Sequence, residues 1–223
     1  MLQRSPSLPE PLSTSSKPAW RGVLHGWAFY LAIPAGVTVG LSADHPTARV
    51  AVAIFAGTVV IMFGVSALYH RFTWSPRARS WLRRLDHLGI FGLIAGTYTA
   101  YGLLVLRDSS RVVVLAVVWT GAAAVVILKF VWVAAPKWIS VVTAVLLGWV
   151  AVAVYPELIH RGGLTPSMLT LFAGVLYTLG AIVYARRKPD PIPAVFGYHE
   201  LFHALVVAAV GLQYAAVGSL VLR

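Results

Sequence analysis

Long apolar runs alternate with short polar segments along this chain. Each of seven runs is about long enough to cross the hydrocarbon core of a bilayer as a helix, and none carries a charge at its centre. The runs cover residues 22–43, 48–70, 86–106, 112–134, 138–155, 167–185 and 194–221. A helix satisfies its own backbone hydrogen bonds, as any lipid-exposed segment must. The pattern therefore predicts an all-α membrane protein, a bundle of seven transmembrane helices.

Composition agrees with a membrane location. Of the 223 residues, 59% are hydrophobic and 11% are charged, with a mean hydropathy of +0.79, which is more apolar surface than a soluble domain of this size buries. Residues 1–18 are rich in Ser and Pro and lack the apolar core of a signal peptide, so they predict a disordered tail ahead of a membrane domain at 19–223. Cysteine is absent, so a metal ion would be held by imidazole, carboxylate or water.

The net charge of +11 is interpreted as a signal of orientation in the membrane and not of nucleic-acid binding, because Lys and Arg cluster between the apolar runs. Thirteen Lys and Arg residues fall in the tail and in the segments around the ends of runs two, four and six. The other five fall on the opposite side of the predicted membrane. The positive-inside rule then places the N-terminus in the cytosol and, with seven spans, the C-terminus outside. We expect a multi-pass protein of the cell (plasma or inner) membrane whose partners are membrane lipids, not nucleic acid.

Two histidines at the start of the last run have the spacing of metal ligands. His199 and His203 lie four residues apart in the segment HELFH, on one face of a helix. In the predicted topology His70, at the end of the second helix, lies at the same depth. Three imidazoles with an open fourth position are typical of a catalytic zinc site, which activates water for attack on an ester or amide carbonyl.

Other polar residues share this end of the bundle. Asp86 is the expected hydrogen-bond partner of a ligand or of the attacking water. Ser66, one turn before His70, either hydrogen-bonds that water or a substrate carbonyl or bonds back to its own helix at Met62. His25 and His87, taken singly, are interpreted as interfacial side chains that reach water.

The segment HELFH also matches HExxH, in which Glu200 would be the general base of a metalloprotease. Such enzymes usually take a third ligand from further along the chain, and no His, Asp or Glu follows His203. Glu200 is also about 100° around the helix from His199. An intramembrane protease is therefore the weaker alternative.

Three separated motifs resemble one family. Ser66 to His70 reads SxxxH, Asp86 stands in Leu85-Asp86-His87 ahead of IAGTYT at 94–99, and His199 with His203 reads HxxxH. These features, in this order over all seven runs, are similar to the hemolysin III branch of the progestin and adiponectin receptor superfamily.

The resemblance implies zinc held at His70, His199 and His203, with Asp86 supporting a zinc-bound water and Ser66 beside it. In the wider superfamily it implies a connection with ceramide amide hydrolysis, and in bacterial members with membrane-fluidity homeostasis and a reported pore-forming activity. The segment from Arg21 to His25 departs from the family pattern, because it lacks the Glu and Asn often found before that histidine.

Two functions remain open from the sequence. The first is a zinc-dependent hydrolase of a lipid amide or ester, ceramidase-like, linked to membrane lipid homeostasis. The second is a regulator or transporter of membrane state in which zinc only clamps two helices together. A pore-forming hemolysin has less support, and a retinal protein has less still, because residues 195–222 contain no lysine for a Schiff base.

The orientation can be tested with reporters fused to the C-terminus. A reporter that is active only in the periplasm should work there and a reporter that is active only in the cytosol should not, because the charge distribution places that end outside. The opposite pair of results would reverse the predicted topology.

Overall fold

The computed structural model describes residues 17–132 and 136–223. The predicted disordered tail, residues 1–18, lies outside the described residues except for its last two. Over the described ranges, seven helical spans are long and apolar enough to cross a membrane, and the only extended pairing is an isolated bridge between Ile192 and Phe196. The predicted all-α bundle of seven transmembrane helices is confirmed.

Six of the spans are continuous helices and the fifth changes geometry along its length. The helices are α1 (Val23–Leu41), α2 (Pro46–Arg71), α3 (Pro76–Leu104), α4 (Asp108–Val131), α5 (Lys137–Gly148), α6 (Leu164–Arg186) and α7 (Tyr198–Val221). We call the end of the bundle where α2 ends and α3 and α7 begin the site end.

The third helix begins ten residues earlier than its apolar run predicts. Pro76 occupies its first turn, and the Ser75 hydroxyl accepts a hydrogen bond from the Ala78 amide at 3.3 Å. This is a serine cap followed by proline, the usual start of a helix. The basic residues that the sequence places in a loop, Arg77, Arg79, Arg83 and Arg84, therefore lie on the first turns of α3.

The fifth span continues to Gly162, beyond its predicted end at residue 155. After α5 it continues as a 3₁₀ segment (Trp149–Val154) and then as a single α-helical turn. It ends as a π-helical segment (Leu158–Gly162). The Tyr98 hydroxyl donates to the Gly148 carbonyl at 2.7 Å and accepts from the Ala151 amide at 2.6 Å. A side chain of α3 thus supplies backbone hydrogen bonds where the helix geometry changes, as an apolar environment requires.

The core lies along α2, which packs against α1 and α3, while α6 packs along α7. Phe55, Val59 and Phe63 of α2 meet Val206 and Val210 of α7 in one buried cluster. This packing fixes the C-terminal end of α2 next to the N-terminal end of α7. Those are the ends that carry the predicted metal ligands.

Residues 17–22, here called the N-terminal strap, cross the site end. The amides of Ala19 and Trp20 donate to the carbonyls of Ala194 and Val195 at 3.1 Å, and Lys17 Nζ donates to the Phe72 carbonyl at 2.8 Å. The strap therefore connects the segment before α7 with the end of α2.

A buried ion pair completes this connection. Arg21 Nε lies 2.5 Å from Glu200 Oε1, and the second carboxylate oxygen of Glu200 accepts from the Gly197 amide at 3.0 Å. The Glu200 carboxylate thus satisfies the first turn of α7 while its charge is paired. At 1% exposure it has no access to water.

Substituting Arg21→Ala should destabilise the protein by about 3 kcal/mol, because it leaves the Glu200 charge buried without a partner. Thermal unfolding of the detergent-solubilised protein measures this as a lower Tm. The double variant Arg21→Ala/Glu200→Gln should recover part of the loss, since the orphaned charge is gone. A single variant that melts like the wild type would contradict this role.

Candidate metal centre

Three histidines from two helices converge at the site end. His70 is on the last turn of α2, and His199 and His203 are on the first two turns of α7. Each offers one ring nitrogen within 4.8 Å of the others, and the Nε2 atoms of His70 and His199 are 3.2 Å apart. The predicted group of three imidazoles is therefore brought together, across 129 residues of chain between the first two.

Asp86 lies beside this group. Its Oδ2 atom is 3.6 Å from His70 Nε2, the same nitrogen that faces His199. The carboxylate therefore stands on the side where the imidazole nitrogens meet. Ser66 is 3% exposed and lines the same cavity as Asp86. Their roles, expected from the sequence, remain predictions.

His25 is not an interfacial side chain, so that interpretation is wrong. Its ring is 3% exposed and stacks on His203, with ring centroids 3.8 Å apart and planes inclined by 2°. Phe63 packs against it at 5.0 Å. The ring is enclosed because the N-terminal strap brings the start of α1 over His70, His199 and His203. His87, in contrast, is partly exposed and its Nδ1 lies 2.6 Å from the Arg83 carbonyl of its own helix.

Glu200 faces away from the three histidines. Its two oxygens are engaged by Arg21 and the Gly197 amide, and it is not among the residues that line the adjoining cavity. A general base must reach the water or substrate that it deprotonates. The geometry therefore does not favour the protease reading of HELFH.

A cavity of about 230 Å³ extends from the histidines into the bundle, between α3, the fifth span, α6 and α7. Its walls are mainly apolar, and they include Leu93, Ile94, Val145, Leu171, Phe202 and Val206. On α3 the lining runs from Asp86 to Tyr101, which is about 22 Å at 1.5 Å per helical residue. The cavity is thus long and mainly apolar, with polar side chains at the end where the three histidines lie.

The sequence analysis did not identify one residue that lies near the histidines. Tyr184 of α6 has its ring 5.8 Å from that of His199 and lines the cavity. It belongs to a stripe at helical spacing that also includes Thr170, Gly174, Tyr177 and Ala181. That spacing was visible in the sequence, but it is typical of any helix face in a bundle.

Comparison with known proteins gives one consistent result. The family described as haemolysin-III related matches residues 13–214. Hemolysin-3 of Bacillus cereus is 30% identical over 199 residues, which cover 87% of each chain. The Hemolysin-3 homolog of Bacillus subtilis (strain 168) is 30% identical over 189 residues, 83% of this chain and 85% of the relative.

A plant protein shares a shorter segment. Heptahelical transmembrane protein 5 of Arabidopsis thaliana is 41% identical over 66 residues, 27% of this chain and 16% of its own length. This short match adds little to the two bacterial ones, which extend over most of both chains. This multi-pass membrane protein belongs to the haemolysin-III related family, a branch of the progestin and adiponectin receptor superfamily.

Proposed function

We propose that this protein is a zinc-dependent hydrolase that cleaves an amide or ester bond of a membrane lipid on the cytosolic side of the cell membrane. The observation that carries the proposal is the position of three imidazoles and a carboxylate at the polar end of a long apolar cavity. A lipid can place its chain in the cavity and its carbonyl beside the histidines.

The donor set fits zinc. Zinc binds imidazole nitrogens at about 2.0–2.1 Å in tetrahedral sites, so two such nitrogens lie about 3.3 Å apart. The 3.2 Å between the Nε2 atoms of His70 and His199 is close to that separation. Three neutral histidines with room for a fourth ligand are typical of catalytic rather than structural zinc. His70, His199 and His203 would hold the ion.

The residues around the histidines supply the remaining chemistry. When bound, zinc acts as a Lewis acid that polarises a carbonyl and lowers the pKa of water. We assign to Asp86, 3.6 Å from His70 Nε2, the role of accepting the proton of the attacking water and returning it to the leaving nitrogen or oxygen. We assign to Ser66, which lines the cavity, a hydrogen bond to the substrate carbonyl.

The surroundings hold these groups in position. The ring of His203 packs against the ring of His199 and stacks on the ring of His25. The Arg21–Glu200 pair and the N-terminal strap fix the start of α7, where His199 and His203 lie on the first two turns. A site built on anchored helices holds its ligands in a more precise geometry than a site on loops.

Release of free fatty acid from membrane lipid extracts tests the reaction. The purified wild-type protein should release it, and His199→Ala should abolish the activity together with zinc binding. Asp86→Asn should retain zinc but lose about 100-fold or more in rate, because the proton acceptor is removed. Glu200→Gln, which keeps the cap on α7, should leave most of the activity, opposite to the loss expected of a HExxH protease.

His45→Ala is the matched control, since His45 is exposed and precedes α2 at the opposite end of that helix from His70. Equal release by the wild type and His199→Ala would overturn the hydrolase. If removing zinc then lowered the Tm without any turnover, the ion would act as a clamp between α2 and α7, since a ligand bound by the folded state stabilises it.

A further inference from the structure

The cavity has a second polar region, away from the histidines. Tyr101 of α3, Thr170 and Tyr177 of α6 and Gln213 of α7 all line it. The Tyr101 hydroxyl lies 2.6 Å from Thr170 Oγ1 and 2.7 Å from Gln213 Oε1. We call these four residues the distal polar group. The metal centre uses none of them.

Hydrogen bonding within the distal polar group is incomplete. Gln213 is 5% exposed, and its Oε1 is engaged by Tyr101, but its Nε2 takes part in no hydrogen bond within the described ranges. The Thr170 hydroxyl also lies 2.8 Å from the Pro166 carbonyl, which can accept its hydrogen. Rotating the amide by 180° would engage the nitrogen and free the oxygen, so one amide atom of Gln213 is left over in either case.

The Tyr177 hydroxyl is a second unused group. Its oxygen is buried and has no partner among the described residues. Inside a membrane bundle an unsatisfied hydroxyl or amide costs free energy that lipid cannot recover. The Tyr177 oxygen itself presents no surface to the cavity. The unpaired amide atom of Gln213, which does line the cavity, indicates an occupant with its own hydrogen-bonding atoms in this region.

The distance from the distal polar group to the metal centre determines how long that occupant is. Gln213 is ten residues after His203 on α7, and Tyr101 is fifteen residues after Asp86 on α3, which correspond to about 15 and 22 Å. An extended chain of 1.5 Å single bonds advances about 1.25 Å per carbon, so this span equals roughly 12–18 carbons. Apolar residues such as Leu93 and Val206 line the space between.

We propose that the distal polar group binds a hydroxyl carried far along the acyl chain of the lipid whose polar end lies at the histidines. The free amide atom of Gln213 supplies a hydrogen bond to that oxygen. The cavity would then select hydroxylated chains. The inference shares with the proposed function the premise that the cavity receives a lipid chain, but it requires no bond to be broken.

Displacement of a fluorescent fatty acid from the full-length protein in detergent micelles tests the proposal. The competitors are fatty acids of one chain length with a single hydroxyl at successive carbons, and the unsubstituted acid is the reference. The wild type should bind the best hydroxy acid about tenfold tighter than the reference, as one or two buried hydrogen bonds provide. The optimum should lie roughly 12–18 carbons from the carboxyl group.

One variant removes the recognising atom with little change of shape. Gln213→Leu should bind the reference acid as the wild type does and lose most of the preference for the hydroxy acid. Tyr30→Phe is the matched control, because Tyr30 is 67% exposed on the outside of α1, and it should keep the preference. Tyr177→Phe should also keep it, because the Tyr177 oxygen has no surface on the cavity and no partner among the described residues.

Equal affinity for all acids would show that the distal polar group holds only water and would overturn the proposal. A preference that survives in Gln213→Leu would do the same. The displacement assay measures binding of the chain and involves no turnover. A failure of the hydrolase and a failure of chain recognition are therefore separate outcomes.

Discussion

Hydrocarbon cannot solvate a polar side chain, so each polar group inside a membrane-spanning bundle needs a partner within the protein or a ligand. In this chain the constraint organises the site end. Glu200 is buried only because Arg21 and the Gly197 amide engage both of its oxygens. Ring nitrogens of His70, His199 and His203 lie within 4.8 Å of one another, an arrangement that fits a single bound cation.

Helix packing explains why the candidate metal centre lies on α2 and α7. These helices meet through Phe55, Phe63, Val206 and Val210, and that packing fixes the relative height of the ends that carry His70 and His199. The N-terminal strap then closes the site end through backbone hydrogen bonds and the ion pair. Hydrophobic packing places the ligands, and polar contacts prevent their helix ends from fraying.

Much of this arrangement could be predicted from the sequence. The seven spans follow from hydropathy, and the pairing of His199 with His203 follows from helical spacing, because both depend on local pattern. The third histidine, His70, could be predicted as a ligand only from the topology, which placed it at the same depth as the other two. The start of α3 was missed because its first ten residues are polar and basic, and the Ser75 cap rather than hydropathy determines where it begins.

The remaining contacts depend on tertiary structure. His25 seemed an interfacial residue because nothing in its own segment indicates that the strap turns its ring onto His203. The identity of Arg21 as the partner of Glu200 depends on two segments 179 residues apart. Tyr101 and Gln213 are isolated polar residues within apolar runs, so only the packing of α3 against α7 shows that they meet.

The central claim is that three histidines hold one zinc ion with a coordination position left for water or substrate. X-ray absorption at the zinc edge of the purified protein measures that shell directly. We expect three nitrogen scatterers at about 2.0–2.1 Å and one oxygen at a similar distance. Protein without zinc, or zinc surrounded by oxygen alone, would contradict the account.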